Sequence, residues 1–315
     1  MILSNHMNLR IIDHSRIWFS LSGVLIALSI LALFVWGLRP GIDFTGGTSI
    51  DLSFTISRPN AQDIHKALAP LQLGELNVSP IGEKDITVRT KPLDEKQHAA
   101  LIEALNKAFA PKEAKDKVVT QRQFQTVGPV IGSELQRKTV WAIALAILGI
   151  VLLISWNFRK VSYPVKSWKY GVATIIALLH DVTIPTGAYA VMGHFLGYEA
   201  NALLVVALLT VLGFSVHDTI VVFDRTRENL HKHRGLSFAE VVNQSLNETF
   251  VRSVNTSLTL LIILATTFFF GGETIRDFIL TLLIGVFFGT YSSIFIASPI
   301  LVSWYEWNQN NRTRA

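Results

Sequence analysis

The chain has no cysteine, which excludes disulfides, thiolate metal sites and a cysteine nucleophile. It is also short of charge: only 16% of its 315 residues are Asp, Glu, Lys or Arg, against roughly 25% in an ordinary soluble domain. It lacks any Gly-x-x-x-x-Gly-Lys-Ser/Thr sequence, so nothing in it is built to cradle the phosphates of ATP. Its nearest approach to a nucleophile elbow, Gly213-Phe-Ser215, fails because His217 stands where the second glycine must be. With no nucleophile and base in evidence, a hydrolytic enzyme is not expected.

The charge that is present is concentrated. Residues 39–138 hold 14 Lys+Arg and 12 Asp+Glu, half of the 51 charges in under a third of the chain. That distribution excludes a single soluble globule and points to a water-facing domain set into a membrane-spanning chain. Six stretches are long and apolar enough to cross hydrocarbon, at 17–38, 139–158, 170–192, 201–223, 253–272 and 278–305. Pro299 is expected to kink or end the sixth. The first stretch is too long for a signal-peptide core and has no small-x-small cleavage site after it, so it reads as a retained anchor.

Lys and Arg in the short connections set the orientation. Thirteen of them fall on one side: Arg10, Arg16, Arg159, Lys160, Lys166, Lys169, Arg225, Arg227, Lys232, Arg234, Arg252, Arg312 and Arg314. Arg276 alone falls on the other. The N-terminal residues 1–16 and the C-terminal residues 306–315 are therefore expected in the cytoplasm, with 39–138 outside.

Within 39–138 the periodicity changes to that of a soluble domain. Thr48–Thr55 alternates as a strand, Ala61–Leu71 has helical spacing, and Leu76–Ile81 and Asp85–Thr90 are strand-like. Asp94 caps a helix running to Phe109, and Val118–Val127 is a last strand. The order β-α-β-β-α-β predicts an α+β ferredoxin-like domain, with His65 and His98 on its surface. Between the fourth and fifth spans, residues 224–252 are expected to form a cytoplasmic loop. Its capping box Ser237-Phe-Ala-Glu240 would start an amphipathic helix through Phe250 that lies along the inner membrane surface.

Chemistry points to the acids inside the spans. A carboxylate in hydrocarbon costs roughly 2.5–3.5 kcal/mol on insertion scales, so Asp181 and Asp218 each need a partner, a proton or water. Asp181 is about 18 Å from the basic edge at Lys169, and Asp218 is about 9 Å deep, at 1.5 Å per residue. Arg252, at the inner end of the fifth span, has the reach to partner Asp218. Hydrocarbon favours the neutral acid and an approaching guanidinium favours the carboxylate. A helix movement that makes or breaks the pair would therefore bind or release a proton; a static pair that fixes helix register is the competing reading. His180 and His217, each preceding an aspartate, are candidate supports of a proton relay through Asp218, Arg252 and Asp181, since imidazole is the side chain suited to pass protons at physiological pH. The two His-Asp pairs do not make a metal site, because neighbours on a helix point about 100° apart and no third ligand is apparent. Gly285-Val-Phe-Phe-Gly289 and Gly213 offer small faces for close helix packing.

Three motifs carry a resemblance. Gly41-Ile-Asp43-Phe44-Thr45-Gly46-Gly47 follows the first span, His180-Asp181-Val182 lies in the third, and Gly213 to Asn229 closes the fourth. Together they resemble the SecF members of the SecD/SecF family, over roughly residues 10–305. The resemblance implies the RND superfamily membrane fold, with six spans forming half of a twelve-span bundle and a separate SecD chain as the other half. It further implies an accessory subunit of the Sec translocase that uses the proton motive force to promote preprotein export across the bacterial cytoplasmic membrane. Asp218 and Arg252 match the family's functional membrane aspartate and arginine, and Asp43 to Gly47 match its junction motif, where a plain structural joint is an equal reading. Implied partners are SecD, the SecYEG translocon, YajC, YidC, unfolded preprotein and protons, with no cofactor, metal or nucleic acid. The alternatives are an RND-like exporter of lipid or small molecules, which a domain this small argues against, and a scaffold subunit without ion coupling.

Overall fold

The computed structural model describes residues 9–55, 58–81, 84–110, 118–159, 164–233 and 235–314, so Lys160 and Arg234 lie outside the described residues. After α1 (Ser15–Val35) and a single turn, α2 (Ile42–Thr45), come β1 (Gly47–Phe54), α3 (Ala61–Leu68), β2 (Asn77–Ile81) and β3 (Asp85–Thr90). Then follow α4 (Glu95–Phe109), β4 (Val119–Val127), α5 (Pro129–Asn157), α6 (Ser167–Leu196) and α7 (Ala202–Lys232). Last are α8 (Phe238–Phe270), α9 (Arg276–Ser292), a π turn at Ser293–Ala297 and α10 (Ser298–Arg314). Two compact units result: residues 39–141 with 199–202, and the remaining helical residues.

The sheet unit has the ferredoxin-like topology that its element order predicts: four antiparallel strands in the order β2-β3-β1-β4. β1 is central, so Ile50, Leu52 and Phe54 on one face are buried together with Ile64 and Leu68 of α3 and Leu101 and Leu105 of α4. This is the two-residue period of a strand meeting the apolar stripe of two helices. Asp94 caps α4 in a reciprocal capping box with Gln97. His65 is exposed as expected, but His98 is not free: it bonds Gln121 of β4 at 2.6 Å and lies against the Phe124 ring.

Among the described residues, six helices are long and apolar enough to cross a membrane. Burial among them is uneven. Half of the most apolar window of α6 and of α7 is buried, whereas α5 turns Leu145, Leu148, Leu152 and Trp156 outward. Such outward apolar faces suit a lipid solvent. Close helix approach depends on small residues. A Cβ at Gly187 of α6 would stand 2.4 Å from the Cβ of Ser29 on α1, and one at Gly285 of α9 would stand 2.2 Å from a Val211 methyl on α7. A Cβ at Gly149 of α5 would meet nothing within 4 Å. Gly285→Ala is therefore expected to destabilise the bundle by about 1–3 kcal/mol through overpacking. Gly149→Ala should stabilise it by roughly 0.5–1 kcal/mol through helix propensity. Thermal unfolding in detergent should show midpoint shifts of opposite sign; equal shifts would contradict this packing.

Two expectations need correction. Residues 224–252 are not a loop carrying a separate surface helix. α7 runs on to Lys232, and α8 is one unbroken helix of 33 residues from Phe238 to Phe270. No Gly or Pro interrupts Asp224–Lys232, and Arg225–Glu228 and Lys232–Glu228 pairs support the helix at i,i+3 and i,i+4. The amphipathic face is buried as its spacing requires, but against the chain itself: Phe238, Val242 and Leu246 share a core with Ile11, Phe223 and Leu301. The N-terminal segment is pinned there, with the Leu9 amide donating to Asn247 at 2.8 Å and the Ile11 amide to Asn243 at 3.0 Å. Of the kink or stop expected at Pro299, the stop does not occur. The proline lacks the N–H that Phe295 would need, and the π turn just before it shifts the bonding register so that the helix continues.

Candidate functional site

The most connected buried group in the helical unit is Asp181, fully buried at 0% exposure on α6. His180 Nδ1 lies 2.8 Å from Asp181 Oδ1. Asp181 Oδ2 accepts from Ser292 Oγ of α9 at 2.7 Å and from Ser215 Oγ of α7. One carboxyl group thus ties three helices by accepting a hydroxyl bond from each of two of them. The His180 ring stacks on Tyr291 at 5.9 Å, while its buried Nε2 has no hydrogen-bond partner among the described residues.

Asp218 sits one helical turn beyond Ser215 on α7 and is bonded quite differently. Among the described residues its Oδ1 accepts a single bond, from Ser253 Oγ of α8 at 3.2 Å, and its buried Oδ2 has no partner. From Ser253 the polar groups continue. Ser257, the next turn of α8, donates to the Ser253 carbonyl at 2.8 Å and accepts from Thr290 of α9 at 2.6 Å. Thr290 is two residues from Ser292, so hydroxyls on α7, α8 and α9 line the interval between the two acids.

The expected direct contact of Asp218 with Arg252 is absent among the described ion pairs, and Arg252 is exposed. Geometry explains this. Arg252 and Ser253 are neighbours on α8 and point about 100° apart, so when the serine faces α7 the guanidinium faces outward. It is not alone there. Arg252, Asn255, Thr256 and Thr259 are all exposed at i, i+3, i+4 and i+7, a polar stripe along an otherwise apolar helix. Beside it, α7 exposes Thr210, Gly213 and His217, and a Cβ at Gly213 would meet nothing within 4 Å. A spanning helix does not turn a guanidinium and an amide to lipid without cost.

The Asp43–Gly47 motif forms a joint inside the sheet unit. Gly46 and Gly47 have φ of 74° and 130°, in the region that other residues avoid. A Cβ at Gly46 would lie 2.8 Å from Pro129 Cα, so the start of α5 passes directly over the turn. Phe44 is half-buried, and Thr45 Oγ1 donates to the Gly41 carbonyl at 3.1 Å. Asp43 Oδ2 accepts from the Ala202 amide at the start of α7, and Oδ1 accepts from Gln125 of β4, both at 2.8 Å.

Sequence reasoning found the acids and missed the serines. Ser215 lies three residues before Asp218, and Ser253 and Ser257 share one helical face. Buried hydroxyls at helical spacing near an intramembrane acid were the available signal.

Six apolar helices enclosing acid and serine clusters, with a ferredoxin-like insertion after the first, define half of an RND-type membrane fold. The chain belongs to the SecD/SecF family and to its SecF members in particular. The family description "Protein export membrane protein SecD/SecF, C-terminal" matches residues 107–307, and "SecD/SecF GG Motif" matches 31–55. Protein translocase subunit SecF of Thermobaculum terrenum is 44% identical over 300 residues, covering 91% of each chain. Protein translocase subunit SecF of Synechocystis sp. is 36% identical over 299 residues, again covering 91% of each. The crystal structure of SecDF, a translocon-associated membrane protein from Thermus thermophilus, superposes with a TM-score of 0.78 at 33% identity. That match covers 97% of this chain but only 40% of the SecDF chain. This is a multi-pass membrane protein.

Proposed function

We propose that the chain is an accessory subunit of the Sec translocase that works with a SecD partner to use the proton motive force for preprotein export across the bacterial cytoplasmic membrane. Asp218 takes up and releases the proton, and Arg252 is the cation that favours its ionised form when the two approach. Asp181, with His180, anchors the polar track at its other end. His217, exposed beside Asp218, supports entry of the proton. The excess of Lys and Arg on one side supports a topology with both termini in the cytoplasm and the ferredoxin-like unit outside. SecYEG, YajC, YidC and unfolded preprotein are the remaining partners of this reading.

One observation carries it: a buried acid with an unpartnered oxygen lies beside an exposed stripe that holds Arg252 within a spanning segment. The stripe supports a partner chain, since only a second polar helix would cover it without penalty. The free oxygen supports titration, because a carboxylate with a single donor has no fixed arrangement to lose when it is protonated. The driving force is adequate: each proton crossing supplies about 2.3 kcal/mol per 100 mV, comparable to exchanging one or two buried hydrogen bonds.

A pH jump across vesicles containing this chain and its SecD partner tests the proposal. Wild type should pass protons, and Arg252→Met should reduce the flux roughly tenfold or more, as the loss of a coupling of 1–3 kcal/mol implies. Equal flux in the two would overturn the relay.

A further inference from the structure

The loop that joins α6 to α7 spans only residues 197–201, and it is held by the sheet unit. The Gly41 amide donates to the Ala200 carbonyl, and the Ala200 amide donates to the Arg39 carbonyl, both at 2.7 Å, making a parallel bridge centred on Pro40. Arg89 of β3 forms an ion pair with Glu199, and the two side chains are only 25% and 19% exposed. Asp43 caps Ala202, the first residue of α7, and is itself held by Gln125 of β4. A carboxylate at a helix N-terminus is favoured by both the free amides and the helix dipole.

These bonds grip the one loop from which both acid-bearing helices depart. α6 carries Asp181 and α7 carries Asp218, and each is a continuous helix between its acid and the loop. Helices transmit displacement, whereas a free loop absorbs it. A five-residue connection with no partners would take up several ångströms of movement, but here two of its residues, Glu199 and Ala200, and the next one, Ala202, are fixed by an ion pair, backbone bonds and a cap.

We propose that Asp43, Arg89, Glu199 and Ala200 form a permanent clamp through which movement of the two acid-bearing helices is transmitted to the ferredoxin-like unit. The proposal rests on the proton-coupled reading above. Arg89, Glu199 and Asp43 are positioning residues: they touch neither the proton path nor preprotein, and they act by keeping the loop from absorbing the stroke. Breaking the clamp should therefore uncouple the protein and leave its proton path working.

The test measures proton flux and proton-driven preprotein export in the same vesicles, using the chain in complex with its SecD partner and the translocon. Glu199→Arg should keep near wild-type flux and lose export roughly tenfold, the scale of an ordinary coupling free energy. Combining it with Arg89→Glu should restore export, because the ion pair is rebuilt with its charges exchanged. The chain has no native cysteine, so Pro40→Cys with Ala200→Cys gives a clean disulfide across the bridge, and oxidising it should leave flux and export intact. Normal export in Glu199→Arg, loss of its flux together with its export, or failure of the charge exchange to rescue would overturn the clamp. Export that stops on oxidation and returns on reduction would overturn its permanence. Absence of flux in the wild type would remove the proton-coupled reading beneath it, which the flux measurement reports separately from the clamp.

Discussion

Asp218→Asn is expected to abolish proton-driven export while leaving the protein folded. Asparagine has nearly the same shape and keeps an oxygen that can accept the Ser253 bond, the one bond to this carboxylate among the described residues. Its amide nitrogen takes the place of Oδ2, an oxygen already buried without a partner among the described residues, so one unsatisfied buried group replaces another. The stability change should therefore be modest, about 1–3 kcal/mol at most. The functional change should be large, since an amide cannot exchange a proton near neutral pH. Removing a positioned acid or base typically costs roughly 100-fold or more. The measurement is export of a preprotein into vesicles with and without an imposed proton gradient, alongside the thermal midpoint of the purified complex. Export that still responds fully to the gradient would mean that the buried charges only hold the bundle together, and the scaffold reading would prevail.

The parts of this fold that were legible in the sequence are those set by short-range periodicity. The alternation of Thr48–Thr55 and the Asp94 cap report local structure directly, and the order of six such elements leaves few topologies. The six apolar stretches were legible because hydrocarbon imposes a length. Helix ends were not, because long-range contacts decide them. α8 continues unbroken from Phe238 since the buried face of its N-terminal half packs on Ile11 and Leu301, residues distant in sequence. At the site, cost alone identified Asp181 and Asp218, for any acid at that depth must be accounted for. Which neighbour meets Asp218 depends on helix rotation, which turned Ser253 inward and Arg252 outward. Likewise, no local pattern in Tyr198-Glu199-Ala200 announces that Arg89 and Asp43 will hold that loop.

Asp181→Leu should give the opposite result to Asp218→Asn, a protein that fails before it can be assayed. The Ser215 and Ser292 hydroxyls and the His180 ring converge on this carboxyl group, and the residue is wholly enclosed. Leucine removes the hydrogen-bond partner of all three at once, and at about 1–3 kcal/mol for each buried polar group left unsatisfied the loss is about 3 kcal/mol or more. That is a large share of the roughly 5–15 kcal/mol by which a folded domain is stable. The expected result is low abundance in the membrane and a strongly lowered thermal midpoint. Ser292→Ala, which deletes one donor and leaves the carboxyl group two other partners, should cost only about 1 kcal/mol. Asp181→Asn should fall between them, since its oxygen still serves both serines while its amide faces His180. An Asp181→Leu protein that accumulates and unfolds like wild type would mean that the convergence on Asp181 contributes nothing to stability. The track would then have no anchored end against which a proton arriving at Asp218 could move a helix.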